Sequence, residues 1–211
     1  MFEKIRRFLA ADPFERRYFL ANLRARWVGR LVYRRRLGHF GSRVILKSPA
    51  QIVGARTIRI HDAARIEPGA ILYSVQSYAG RPCEGSIVIG KGVYANRNLN
   101  ISAGAPIVIG DRVTIATNVF ISNYDHGYED PATAINDQPL VVHGKISIGE
   151  DSWLGANVCV LGNVHIGSHV VIGANSVVTA DIPSYSVAVG SPARVVRQYD
   201  PQEKVWRRAK A

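Results

Sequence analysis

A chain of 211 residues with 47% hydrophobic content and a mean hydropathy near zero suits one folded domain with a short appendage, large enough to bury a core. Cys83 and Cys159 are too few for a disulfide framework, which points to a reducing compartment. No apolar run approaches the roughly 20 residues of a spanning helix, and Glu3, Lys4, Arg6 and Arg7 break up Met1–Ala11 before a signal-like segment develops. The expected location is therefore cytoplasmic, with peripheral attachment at the inner membrane face as its variant.

The net charge of +11 sits at the front of the chain. Residues 1–47 hold thirteen Lys/Arg against Glu3, Asp12 and Glu15, which gives 13 − 3 = +10. Charge alone does not choose among nucleic acid, anionic lipid and acidic polysaccharide. Asp12-Pro13-Phe14-Glu15 reads as an N-cap, a first-turn proline and a capping-box glutamate. Leu20, Leu23, Trp27 and Leu31 then recur at helical spacing, with Gly38 as a stop. Residues 1–47 are thus predicted to form a basic helical extension that packs its apolar stripe on the main domain and leaves an arginine face in solvent. Docking of a basic amphipathic helix on a membrane surface is the alternative. Without interleaved stacking aromatics or a groove-reading motif, no nucleic-acid partner is expected.

Beyond residue 60 the aliphatic residues return every six positions, a period that neither a helix nor an ordinary strand produces. Ile148, Leu154, Val160, Ile166, Ile172 and Val178 keep it without a slip, and Gly149, Gly155, Gly167 and Gly173 follow four of the first five. Ser152, Val158, Val164, Val170 and Ser176 supply a second inward position. Backwards, the frame gives Ile60, Ile66 and Leu72, then Ile89, Ala95 and Ile101, then Ile109, Ile115 and Ile121, then Val142. Three hexads make one triangular coil, so the period predicts a parallel β-helix of about five coils. Interruptions at roughly 78–88, 107–108 and 127–141 each follow a third side, so they are expected at one corner, the longest as a protruding loop. The domain reading is 1–47 for the extension, 48–197 for the β-helix and 198–211 for a C-terminal tail.

From Ile60 to about Arg197 the hexads resemble the hexapeptide-repeat acetyltransferases, and the second half resembles galactoside, maltose and exopolysaccharide O-acetyltransferases. The resemblance implies a left-handed coil, a homotrimer with sites between subunits, and acetyl-CoA as co-substrate, with no metal. His126, in Asn123-Tyr-Asp-His126-Gly-Tyr-Glu129-Asp130-Pro131, resembles the family's catalytic base. The residue type suits the task, because a hydroxyl attacking a thioester must lose its proton and imidazole titrates near neutrality. Asp125 or Glu129 could orient it. Tyr94 and Asn96 resemble the acceptor-site stretch, to which Asp125 is also assigned. Trp153, Ala156, Ala174, Thr179, Arg194 and Arg197 match positions that contact acetyl-CoA, the arginines facing its phosphates.

Two departures stand out. Ala180 occupies a place where these enzymes often carry Lys, and Gly104 one where galactoside enzymes offer an acidic acceptor contact. The predicted function is O-acetylation of a sugar or polysaccharide-precursor hydroxyl. N-acetylation of an amino sugar or antibiotic, and a metal lyase of the γ-carbonic-anhydrase type, are the alternatives. The spacing of His143, His165 and His169 fits the lyase poorly.

Overall fold

The computed structural model describes residue 6 and residues 12–209; the expectation for Met1–Ala11 falls largely outside them. Three sheets of short, mostly parallel strands form the faces of a prism, and the chain visits them in rotation. The first face stacks His39–Phe40, Ile58–Ile60, Ser86–Ile89, Pro106–Ile109, Ile146–Ile148 and Val164–Ile166. The second begins Ile45–Leu46, Arg65–Ile66, Tyr94–Ala95, Thr114–Ile115, Trp153–Leu154 and Val171–Ile172. The third runs from Ala50–Val53 through Ala70–Ser74, Asn100–Ala103, Phe120–Ser122 and Cys159–Leu161 to Val177–Val178.

The six-residue period creates this core. Ile60 pairs with Ile89, Ile89 with Ile109, Ile109 with Ile148 and Ile148 with Ile166, so like stacks on like along the axis. Every inward residue of the predicted frame from Ile60 to Val178 is buried except Val142. Val142 is 40% exposed and belongs to a hairpin, Tyr124–His126 paired antiparallel with Leu140–Val142. It fell on the period by coincidence, because the chain leaves the prism after Ser122 and rejoins it at Ile146. Parallel pairing also reaches below the frame. His39 lies beside Arg59, Ile45 beside Arg65 and Ala50 beside Ala70, so the coil draws on residues 39–47, which the sequence had assigned to the extension. At the other end Ser186–Gly190 extends the second face by parallel pairing with Val171–Ile172, and Ala193–Asp200 and Val205–Arg208 follow by antiparallel pairing, which makes part of the tail a strand.

The corner between the second and third faces turns on a left-handed backbone in four successive rungs. Asn98, Asn118, Asn157 and Asn175 fill it with φ near 60°, a conformation asparagine tolerates better than most residues. Their side chains form a ladder, each amide donating to the next carbonyl at 2.9, 3.1 and 3.0 Å.

The N-terminal helix spans Pro13–Val28 and runs on through a π-helical turn, Gly29–Tyr33, into Arg34–Arg36, and Asp12 Oδ1 caps it by accepting from the backbone N–H groups of Phe14 (2.6 Å) and Glu15 (3.1 Å). The predicted packing of its stripe is reversed. Leu20, Leu23, Trp27 and Leu31 are 53%, 36%, 63% and 55% exposed, while Ala25 and Gly29 are buried. Gly29 lies so close to Phe40 that a Cβ there would sit 2.7 Å from the ring. Tyr18 fixes the rotation of the helix. Lys47 Nζ lies 3.8 Å from its ring centroid, and the Arg65 guanidinium hydrogen-bonds the Tyr18 hydroxyl and, at 3.3 Å, Asn22 Oδ1. Lys47 and Arg65 share Glu67, at 2.7 and 2.8 Å. Burial works against the charged form of Glu67, but these two hydrogen bonds outweigh it and hold its carboxyl below the usual carboxylate range.

Candidate active site

Two hairpins leave the prism at the corner between the third and first faces. The smaller pairs Ser77–Tyr78 with Arg81–Pro82; the larger carries His126 on Tyr124–His126. They touch. The Tyr78 hydroxyl donates to the Asn136 carbonyl at 2.7 Å, and its ring stands edge-on to the His126 imidazole with centroids 5.4 Å apart. His126 itself is exposed.

Asn123, fully buried, anchors the larger hairpin where it departs. Its Oδ1 accepts from the backbone N–H groups of Gly104 (2.8 Å) and Ala105 (3.3 Å), and its Nδ2 donates to the carbonyls of Ala105 (3.0 Å) and Gly144 (2.8 Å). One amide thus replaces the backbone pairing that the corner forfeits. The outgoing and returning strands are joined again by His143 Nε2 and Asp125 Oδ2 at 2.7 Å. Asp125 therefore engages His143, and Tyr78 is the side chain seen against the His126 ring. Gln138 braces the loop from inside by donating to the Asp130 and Thr133 carbonyls, both at 2.9 Å.

Gly104 lies beneath this hairpin, where a Cβ would stand 3.1 Å from both Tyr124 and Val142. A side chain there would require Tyr124 and Val142 to yield by a few tenths of an ångström. Burial raises the Tyr124 phenol above the ordinary tyrosine range.

The residues assigned from the sequence divide between two edges of the third face. Thr179, which follows Val178, stands on the corner that bears His126 and Asp125. Asn96, Ala156 and Ala174 occupy the opposite corner, with Tyr94 and Trp153 outward on the adjoining second face. Asn96 Oδ1 accepts from the Arg97 N–H at 2.8 Å. Ala156 and Ala174 stack in successive rungs, since the Asn175 N–H donates to the Ala156 carbonyl at 2.9 Å. Above them Gly190 N donates to Ser176 Oγ at 3.0 Å, which ties the start of the terminal turn to this corner. Arg194 and Arg197 follow on the antiparallel strand beside Val189 and Val187, both exposed. Within the single chain the two groups stay apart, with the third face between them.

The remaining histidines have ordinary partners: His39 and His61 face each other with ring centroids 5.0 Å apart, His165 Nδ1 meets Ser147 Oγ at 2.8 Å, and His169 stacks on Tyr185. Among the described residues no group of three or more His, Cys, Asp or Glu gathers as a metal site. Sequence reasoning missed Tyr78, Asn123 and His143. For Tyr78 the signal was present, because the first interruption was expected at the corner of the third.

Family models for bacterial transferase hexapeptides (six repeats) and for the hexapeptide repeat of succinyl-transferase match residues 145–180 and 101–123. The putative lipopolysaccharide biosynthesis O-acetyl transferase WbbJ of Escherichia coli is 36% identical over 131 residues, covering 59% of this chain and 67% of that protein. The chain belongs to the hexapeptide-repeat acetyltransferase family. The galactoside O-acetyltransferase of Escherichia coli is 39% identical over 119 residues, 56% of this chain and 57% of the relative. The chain thus spans 67% and 57% of the length of these two relatives. Among solved structures, a hexapeptide-repeat acetyltransferase of Vibrio cholerae complexed with acetyl coenzyme A is 25% identical at a TM-score of 0.56, covering 84% of this chain and 85% of that one. An N-acyltransferase of Bacillus cereus in complex with dTDP and coenzyme A, 20% identical, shares the fold at a TM-score of 0.62, covering 77% of this chain and 84% of that chain.

Proposed function

We propose that this protein is an acetyl-CoA-dependent O-acetyltransferase for a sugar or polysaccharide-precursor hydroxyl, coiled left-handed and working as a homotrimer. The supporting observation is the separation of the two residue groups. His126 stands at one edge of the third face, and Asn96, Ala156 and Ala174 stand at the other. Neighbours related by a threefold axis would bring one protomer's His126 against the next protomer's opposite corner, giving three equivalent sites.

The small side chains of Ala156 and Ala174 leave a path along the rungs that fits a long, narrow cofactor, and exposed Arg194 and Arg197 suit its phosphates. Acetyl-CoA would supply an activated thioester, whose C–S bond breaks as the acceptor's C–O bond forms and whose sulfur leaves as the thiol of CoA. His126 accepts the acceptor's hydroxyl proton as its oxygen becomes the nucleophile, and Tyr78 holds the imidazole plane while the hairpin limits water. Asp125, paired with His143, keeps the hairpin registered beside the acceptor.

His126→Ala is expected to lose 10²–10⁴-fold in acetyl transfer, the usual weight of a general base, while acetyl-CoA affinity and oligomeric state stay unchanged. Activity within about tenfold of the parent would remove His126 from this role. A turnover screen across sugars, lipid-linked glycans and amino sugars separates O- from N-acylation, the second reading favoured by the Bacillus cereus neighbour. Turnover confined to amines would establish it instead.

A further inference from the structure

We propose that the outward face of the N-terminal helix is a docking surface for an anionic lipid bilayer. Helical periodicity puts Leu20, Leu23, Trp27 and Leu31 on one side, and the buried Ala25 and Gly29, with Tyr18 and Asn22, on the other. An amphipathic helix ordinarily turns its apolar stripe to the core. Here the body holds the opposite side through Tyr18, Lys47 and Arg65, and so presents the stripe to solvent.

The flanks of the stripe identify its partner. Arg17 and Arg24 border one edge; Arg26 and Arg30 border the other, and all four are exposed. Beside the second edge lies a cleft of about 280 Å³ lined by Arg26, Arg30, Arg34, Phe40, Gly41, Ser42, Arg43 and Val44. Four guanidinium groups thus meet around one opening with no carboxylate among its walls. Arg35 continues the basic surface toward the helix end, next to Trp27 and Leu31. A surface of this kind needs a partner that is apolar in the middle and rich in anionic oxygens around it. A phospholipid interface has that layering, with the tryptophan and leucines among the upper acyl chains and the guanidinium groups at the phosphates.

A second copy of this chain fits less well. Outside residues 1–47 the body carries 27 − 13 = 14 basic and 16 − 3 = 13 acidic residues, so it offers no acidic excess to meet the arginine border. Among the described residues no helix is long and apolar enough to cross a membrane, so the attachment is peripheral. This proposal stands apart from the acetyl-transfer reading, and its test does not use activity.

The full-length protein is mixed with vesicles of phosphatidylcholine alone or of equal parts phosphatidylcholine and phosphatidylglycerol, and the bound fraction is measured by sedimentation. Binding is expected to the anionic vesicles only, weakening at least tenfold between about 0.1 and 0.5 M NaCl as the charges are screened. The variant Leu23→Ser/Trp27→Ser/Leu31→Ser should lose at least tenfold in binding with an unchanged circular dichroism spectrum. Arg26→Gln/Arg30→Gln/Arg34→Gln should lose the preference for anionic lipid, and this second variant decides the matter if the first does not fold. A parent that stays in the supernatant, or serine and glutamine variants that bind like it, would overturn the proposal. So would a serine variant whose oligomeric state changes in sedimentation velocity while vesicle binding does not, since the stripe would then be an interface between copies.

Discussion

The coils and the N-terminal helix both carry a regular apolar pattern, yet they use it in opposite directions. In the coils every sixth aliphatic side chain turns inward and stacks on its own kind, as Ile60, Ile89, Ile109, Ile148 and Ile166 do. In the helix the stripe of Leu20, Leu23, Trp27 and Leu31 turns outward, and the contact falls to Ala25, Gly29 and the aromatic clamp at Tyr18. Periodicity therefore states which residues share a surface. What covers that surface depends on whether the element closes on itself.

Substitutions of matched chemistry in the two regions sharpen the contrast. Ile115→Asp should give no folded protein, because its carboxylate would be buried without a partner in the middle of the stack; far-ultraviolet circular dichroism and solubility check this. Glu67→Gln should cost about 3 kcal/mol, since it strands Lys47 in a buried place, measured by urea unfolding. The Glu67 pair also predicts a pH dependence. Its folded carboxyl titrates below the ordinary value, so its contribution is present above the unfolded pKa of about 4.3 and is lost as pH falls through the lower folded value. The parent should therefore weaken more than Glu67→Gln between about pH 5 and pH 3. Asn118→Ala should cost about 1 kcal/mol, from strain at a left-handed φ and a broken amide ladder. Leu31→Ser should change stability by less than about 0.5 kcal/mol, because its side chain is already in water. A large effect of Leu31→Ser on the isolated protein would mean that the helix stripe is covered after all.

The candidate site was legible in proportion to how local its signals are. His126 stood at the edge of an interruption, and Ala156 and Ala174 were eighteen residues apart in a six-residue frame, so their stacking could be read directly. Asn123 could not be found this way, because its four backbone partners lie on segments 18 to 21 residues away that are close only in the folded corner. Asp125 looked like a neighbour for His126 by adjacency. Successive strand residues point to opposite sides, and a diagonal contact across the hairpin, two residues beyond its register partner Val141, gave Asp125 His143 instead.

What the amino-acid order determined alone was the inward set of the coils, Val142 apart, and the corner at which the chain departs from them. A repeat that buries its own side chains against the next repeat needs no outside information to settle which way they face. Only the tertiary structure decided the rotation of the N-terminal helix and the union of the two hairpins through Tyr78. Those outcomes rest on Tyr18 meeting Lys47 and Arg65, Gly29 meeting Phe40, and Tyr78 meeting Asn136. Each such contact joins segments with no shared period, so its energy exists only once the prism has brought them within reach.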